Sequence, residues 1–206
     1  MDDCTVTPAV PNAGLDFSGL DLAGIDPGDA RKVCDAIARD ENFHGYIPSE
    51  SLGFIVRNYR GLAALGALEP AWLDAYVHAS HFDSVGLDVL RAIFDACDRA
   101  RLLALKPLGD AVALTQNGRI TLFRGCAGPV HHMGLSWTPS LDKAIWYAAH
   151  HAEYYDLGNV AVYAATLDVA EIYCRLDHYD IDLIACPADW WRVDVPANEF
   201  RLDRRR

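Results

Sequence analysis

"RITLFRG" (119–125) and, nine residues on, "GLSWTPSLDKAIWYAAHH" (134–151) decide how the chain is read. The first alternates: Ile120, Leu122 and then Arg124 fall on one side of an extended chain, with Thr121 and Phe123 on the other. An alternating run of that length is a half-buried strand. The arginine ends it, and Gly125 follows. In the second stretch "GLSWT" makes a short strand. "TPSLDKAIWYAAHHA" then spaces Leu141, Ile145 and Ala148 as one helical face, predicting a helix over about 139–151 with Thr138 as its cap and Pro139 in the first position.

Downstream, the pattern stays strand-like. "NVAVYAATL", "AEIYCRL", "DIDLIACP" and "WWRVDV" are four more short strands. Upstream it is helical. Asp26 and Pro27 open a helix whose stripe is Val33, Ala36 and Ile37; Leu52, Ile55, Val56 and Tyr59 continue the 3–4 spacing, as do "PAWLDAYVHA" and "SVGLDVLRAIFDACDRARLLAL". The change falls near Lys106-Pro107. The expected organisation is a loose N-terminal arm at 1–25, a helical segment at 26–105 and a strand-rich domain at 106–206. The fold class is α+β.

Composition narrows the function. The 206 residues are 51% hydrophobic and 23% charged, enough to fill a core. The formal charge of −11 is poor material for gripping a phosphate backbone by bulk attraction. The basic end "RLDRRR" reads as a solvated terminus. No apolar run has the length of a membrane span. "MDDCTVTPAV" lacks the basic start and apolar stretch of a signal peptide, so a soluble protein of the host cytosol is expected. Cys4, Cys34, Cys97, Cys126, Cys174 and Cys186 form no CxxC pair and read as scattered thiols in a reducing compartment. His131-His132 and His150-His151 are adjacent pairs, which point to different sides of an element and make no two-ligand clamp; no metal is expected.

The order of strand ending in Arg-Gly, Ser-Trp-Thr, aromatic helix, strand and late acidic strand resembles the ADP-ribosyltransferase fold of the arginine–serine–glutamate class, as in bacterial toxins and phage-encoded enzymes. The stretches that carry it are "LFRG" (122–125), "GLSWTPSLDKAIWYAAHH" (134–151), "VAVYAATLDVAEIYCRL" (160–176) and "HYDIDLIACP" (178–187). The resemblance covers about the last 90 residues. It implies a small split, mixed β-sheet with NAD bound in its cleft, and cleavage of the bond between nicotinamide and ribose. It implies that Arg124 holds the phosphates or adjoining ribose, for which a planar, permanently charged fork is suited. Gly125 would bring its main chain to the carboxamide, Ser136 would organise the site, and Tyr147 would stack on nicotinamide. Where the family carries glutamate, this chain has Asp180 and Asp182. Asp182 matches the catalytic slot and Asp180 the acceptor-activating slot. Aspartate is one methylene shorter, about 1.5 Å of reach.

The residues also have plainer readings. An arginine at a strand end pairs with carboxylates, a strand serine bonds to backbone, an aromatic on a helix packs in a core, and two aspartates at i, i+2 make a solvated strand face. The function expected from the resemblance is a mono-ADP-ribosyltransferase that takes NAD as substrate and passes ADP-ribose to an acceptor, a protein rather than a nucleic acid. An antitoxin or activator stays open as a further partner. The alternatives are an NAD glycohydrolase on the same fold, or a degenerate transferase fold that binds a protein.

Overall fold

The computed structural model describes residues 14–78, 82, 85–128, 134–176 and 182–200. The chain divides into two compact units. One comprises Met1–Ser80 with Asp95–Asp98, the other His81–Phe94 with Arg99–Arg206.

The first unit is helical: α1 is Pro27–Ala38, α2 is Ser51–Ala64 and α3 is Leu68–His78. Asp26 starts α1 as the sequence predicts, its carboxylate accepting from the Gly28 and Asp29 amides at 2.7 and 3.4 Å. Val33, Ala36 and Ile37 are buried on one face. In α2 the buried stripe is Phe54, Ile55, Asn58 and Leu62. A polar residue holds its centre because it is fully used. Asn58 Oδ1 accepts from the Asp21 amide at 2.6 Å, and its Nδ2 donates to the carbonyls of Asp21 and Phe54, both at 3.0 Å. That ties the segment around buried Leu20 to the helix. Gly61 completes the seat, since a Cβ there would meet Leu20 and the Gly19 carbonyl at 3.0 Å or less. Glu69, 2% exposed, takes the Asp98 amide on Oε1 at 2.7 Å.

Among its described residues the second unit carries most of α4 (Leu87–Ala96), α5 (Arg99–Leu105), α6 (Leu141–Tyr154) and six strands. The strands are β1 (Arg119–Cys126), β2 (Ser136–Trp137), β3 (Ala161–Asp168), β4 (Ile172–Leu176), β5 (Asp182–Ala185) and β6 (Trp191–Val193). They form two three-stranded sheets, in the orders β1-β3-β6 and β2-β5-β4. Among the described residues every pairing is antiparallel, so the mixed sheet expected from the resemblance is corrected. One reason is local: β4 and β5, which pair, are joined by the five residues 177–181, too few for the crossover that a parallel return needs.

Local chemistry sets these elements. Asn117 and Gly118, at φ 52° and 77°, make the two-residue turn that leads into β1, and Gln116 and Arg119 close it with two backbone bonds. Between β3 and β4, Asp168 and Glu171 form a reciprocal cap: the Glu171 carboxylate accepts from the Asp168 amide at 2.8 Å. The glutamate nearest the candidate acidic pair is thus structural. Helix α6 begins at Leu141, two residues later than the sequence predicts, and its cap is Ser140, whose hydroxyl accepts from the Lys143 amide. Thr138 is not the cap because its own N–H and C=O are engaged by Phe123, at 2.8 and 2.7 Å.

The two sheets enclose one apolar layer. Ile120, Leu122, Cys126, Tyr163, Ala165 and Leu167 come from the first sheet, and Trp137, Ile172, Leu183 and Ala185 from the second. Helix α6 covers the other face of the first sheet, through Ala144 and Ala148 against Val162 and Phe123. The order is helix, sheet, sheet.

Candidate functional site

Phe123 and Thr138 exchange both backbone bonds, so the two sheets touch at the end of β2. In an antiparallel pair the next such rung lies two residues along. It would join Gly125 to Ser136. It is not made. The Ser136 carbonyl instead accepts from Arg124 Nη1 at 2.7 Å. The arginine side chain stands where a main-chain rung would be, and the two strands part there.

The consequence falls on Gly125. Because Phe123 turns its N–H and C=O toward Thr138, Gly125 turns its own toward the same edge, beyond the last rung. Among the described residues no main-chain group pairs with Gly125 on that side, and a buried strand edge is a costly arrangement unless something pairs with it. The α-carbon of Gly125 has a second duty. A Cβ there would fall on the Ala144 carbonyl and within 2.7 Å of the Ala148 nitrogen. Helix α6 therefore lies directly on β1, and no other residue type fits. The two duties do not compete, because one is perpendicular to the sheet and the other lies in its plane.

Gly134 is a residue that pattern reading missed. A Cβ on it would collide with the Arg124 guanidinium. The glycine lets the arginine lie flat against the chain entering β2. Neither hydrophobic period nor motif signals this, since the need comes from a side chain ten residues away.

Ser136 stands opposite Ile184, and Trp137 opposite Leu183. Trp137, at 2% exposure, points into the layer between the sheets, as its alternation with Ser136 predicts. Ser136 therefore points the other way, and Asp182, two residues before Ile184, shares that face. The two are diagonal neighbours, a relation that sets such residues about 7–8 Å apart. Asp182 is the first residue of β5, half-buried, with Leu176 of β4 as its other cross-strand neighbour. Asp180, His178 and His131-His132 lie outside the described residues.

Tyr147 is half-buried on α6, its ring edge-on to Trp146 at 5.1 Å and tilted toward His151 at 6.2 Å. It belongs to a file of rings, Tyr147, His151 and Tyr155, beside a second file of Trp146, His150 and Tyr154. Among the described residues no group of three or more histidine, cysteine or acidic side chains could hold a metal ion. No described helix is long and apolar enough to cross a membrane. Cys126 and Cys174 are buried thiols, not joined in a disulfide. Burial pushes both up, Cys174 to about 12, with the nearby Lys106 charge opposing the shift for Cys174 and Arg124 opposing it for Cys126.

Comparison with models of known protein families, with curated proteins and with solved structures finds no match for this chain.

Proposed function

We propose that the chain is a mono-ADP-ribosyltransferase, which cleaves NAD at the nicotinamide–ribose bond and passes ADP-ribose to a protein acceptor. The observation that carries the reading is the missing rung between Gly125 and Ser136. A carboxamide is the ligand group that would complete it, since it offers one acceptor to the Gly125 N–H and one donor to its C=O. Arg124 lies at the same parting, and its planar, permanently charged fork suits a phosphate or ribose oxygen.

The chemistry asked of the site is modest in kind. The C1′–N bond breaks, and its electron pair neutralises the positive charge on the nicotinamide ring. Positive charge develops on the ribose, and a nearby carboxylate stabilises it. The acceptor then supplies a lone pair to C1′ and gives up a proton. Asp182 is the carboxylate of this reading, with Ser136 on the same strand face to orient it. Asp180 is the group that would orient or deprotonate the acceptor. Tyr147 is assigned to nicotinamide stacking.

One observation favours a second reading. Asp182 has a shorter reach than the glutamate the resemblance implies, and ångström-scale misplacement costs on the order of 100-fold. A site so weakened would hydrolyse NAD with water as acceptor, or hold a partner without catalysis. Labelled NAD incubated with the protein, with and without a host protein extract, separates the three. Transfer yields label on protein together with released nicotinamide. Glycohydrolysis yields free ADP-ribose at a rate the extract does not change. A binding module yields neither, and that result would end the transferase reading.

A further inference from the structure

We infer that the solvent face of α6 is a docking site for a basic protein segment, with Trp146 and Tyr154 as its two cation platforms and Asp142 and Asp156 as the carboxylates beside them. The inference uses none of the residues assigned to NAD and stands or falls apart from that reading.

The helix inverts the usual pattern of size. Its sheet side is small: Ala144, Ala148 and Ala149 are its buried residues, the first two packed with Val162. Two residues along a helix make about 200° of turn, so Trp146 and His150 lie on the side away from Ala144 and Ala148. Tyr154, one turn beyond His150, shares that side. Trp146 is 46% exposed and Tyr154 70%. A surface helix ordinarily turns its large apolar groups to the core and its charged ones to water. Single exposed rings are common, but a contiguous row marks an interaction surface, where tryptophan and tyrosine are enriched.

The rings form a column. His150 lies flat on Trp146, with centroids 4.8 Å apart and planes 6° from parallel, and Tyr154 follows His150 at 5.9 Å and 30°. Stacked rings cover one another, so the accessible π faces are at the two ends, on Trp146 and on Tyr154. Such a face attracts a cation. A carboxylate stands by each end: Asp142 is one turn before Trp146, and Asp156 is two residues after Tyr154. Both are exposed, and among the described residues neither is in an ion pair. Glu153 is exposed between them, and Lys143 is the helix's one lysine or arginine. Each end thus offers a ring and an anion, and a guanidinium uses both, stacking by its plane and bonding by its edge. Eight residues of helix set the ends about 12 Å apart, close to the span of four residues of extended chain. The partner that fits is an extended segment with two arginines four residues apart. A chain at −11 draws such a segment in, and the same charge opposes pairing with a second copy.

The test titrates the protein with short glycine–serine peptides at about pH 8, where an ordinary histidine is neutral, and follows the backbone amide signals of α6 by NMR. One peptide carries two arginines four residues apart, a second carries them adjacent, and a third has glutamine in both places. The first should shift the α6 signals and saturate, the second should bind about threefold or more weakly, and the third should not bind. Trp146→Leu and Tyr154→Leu should each weaken the first peptide about threefold, the loss of one exposed cation–ring contact. Asp142→Asn combined with Asp156→Asn should weaken it to a similar degree, as should about 0.5 M salt. Melting midpoints equal to wild type exclude misfolding of the ring variants, and the paired asparagine variant, which leaves every ring in place, carries the test if they fall. No shift of α6 with the first peptide, or an equal shift with the glutamine peptide, would overturn the inference. So would sedimentation showing a wild-type dimer that Trp146→Leu dissociates, because the face would then belong to a second copy. None of these outcomes depends on whether NAD is cleaved.

Discussion

Gly125 is the residue on which the account turns, and its two duties can be tested apart. Replacing it with alanine puts a methyl group onto the Ala144 carbonyl. Either β1 or α6 must move, and overpacking of this kind costs about 3 kcal/mol. Urea unfolding of Gly125→Ala should therefore show a fall of that order; stability equal to wild type would mean that the helix does not lie on the strand as described. Asp182 differs, since it is half-buried and its proposed role is charge. Asp182→Asn should retain NAD binding and lose catalysis. Asp182→Glu is the informative companion. If short reach limits the site, turnover rises; if β5 already sits close, glutamate crowds the site and turnover falls. Cys174 offers a prediction about stability alone. Burial holds its thiol up at about 12, above the roughly 8.5 of an unfolded thiol. Folding thus favours the protonated form, so this group's contribution is complete below pH about 8.5 and is lost as pH rises toward about 12. Unfolding free energy of Cys174→Ala, measured between pH 7 and 10.5, should fall less steeply than that of the wild type, and parallel curves would contradict the burial.

At the scale of elements, Asn58 is the clearest test. It satisfies both main-chain groups of Asp21 from the buried face of α2. Asn58→Ala would strand those groups at a cost of about 2 kcal/mol, and limited proteolysis should then cut near Asp21 before the rest of the first unit. Protection equal to wild type would show that the tether carries no weight. The same residue explains what the sequence could and could not disclose. Six strands and the main helices are legible because burial in them follows period: Ile120 and Leu122, Val33 and Ile37. Asn58 reads as surface, because nothing in its neighbours announces that it binds a segment 37 residues away. Thr138 reads as a helix cap because Thr-Pro is a good helix start, and only the cross-strand bond to Phe123 moves the cap to Ser140. In the proposed site, the order of the Ser136 strand and the late acidic strand is legible, but their pairing is not. Nor are the clamp from Arg124 to the Ser136 carbonyl and the fit of Gly134 beneath it, since each depends on how separate strands come together.

Across the whole molecule, charge and architecture fit a small-molecule site better than a polyelectrolyte one. A chain at −11 repels a nucleic-acid backbone, so its cations matter where they are gathered. Arg124 lies where β1 and β2 part, bonded to the Ser136 carbonyl. The elements that carry the proposed site all belong to the second compact unit: β1 and β2 where they part, β5 with Asp182, and α6 behind Gly125. The most direct test of the central claim is release of nicotinamide from NAD by the protein, followed by chromatography and compared between wild type and Asp182→Asn. The account predicts steady release by the wild type and a loss of about 100-fold or more in the variant, with NAD binding retained in both. Equal release by the two proteins, or none by the wild type in the presence of a host protein extract, would contradict it.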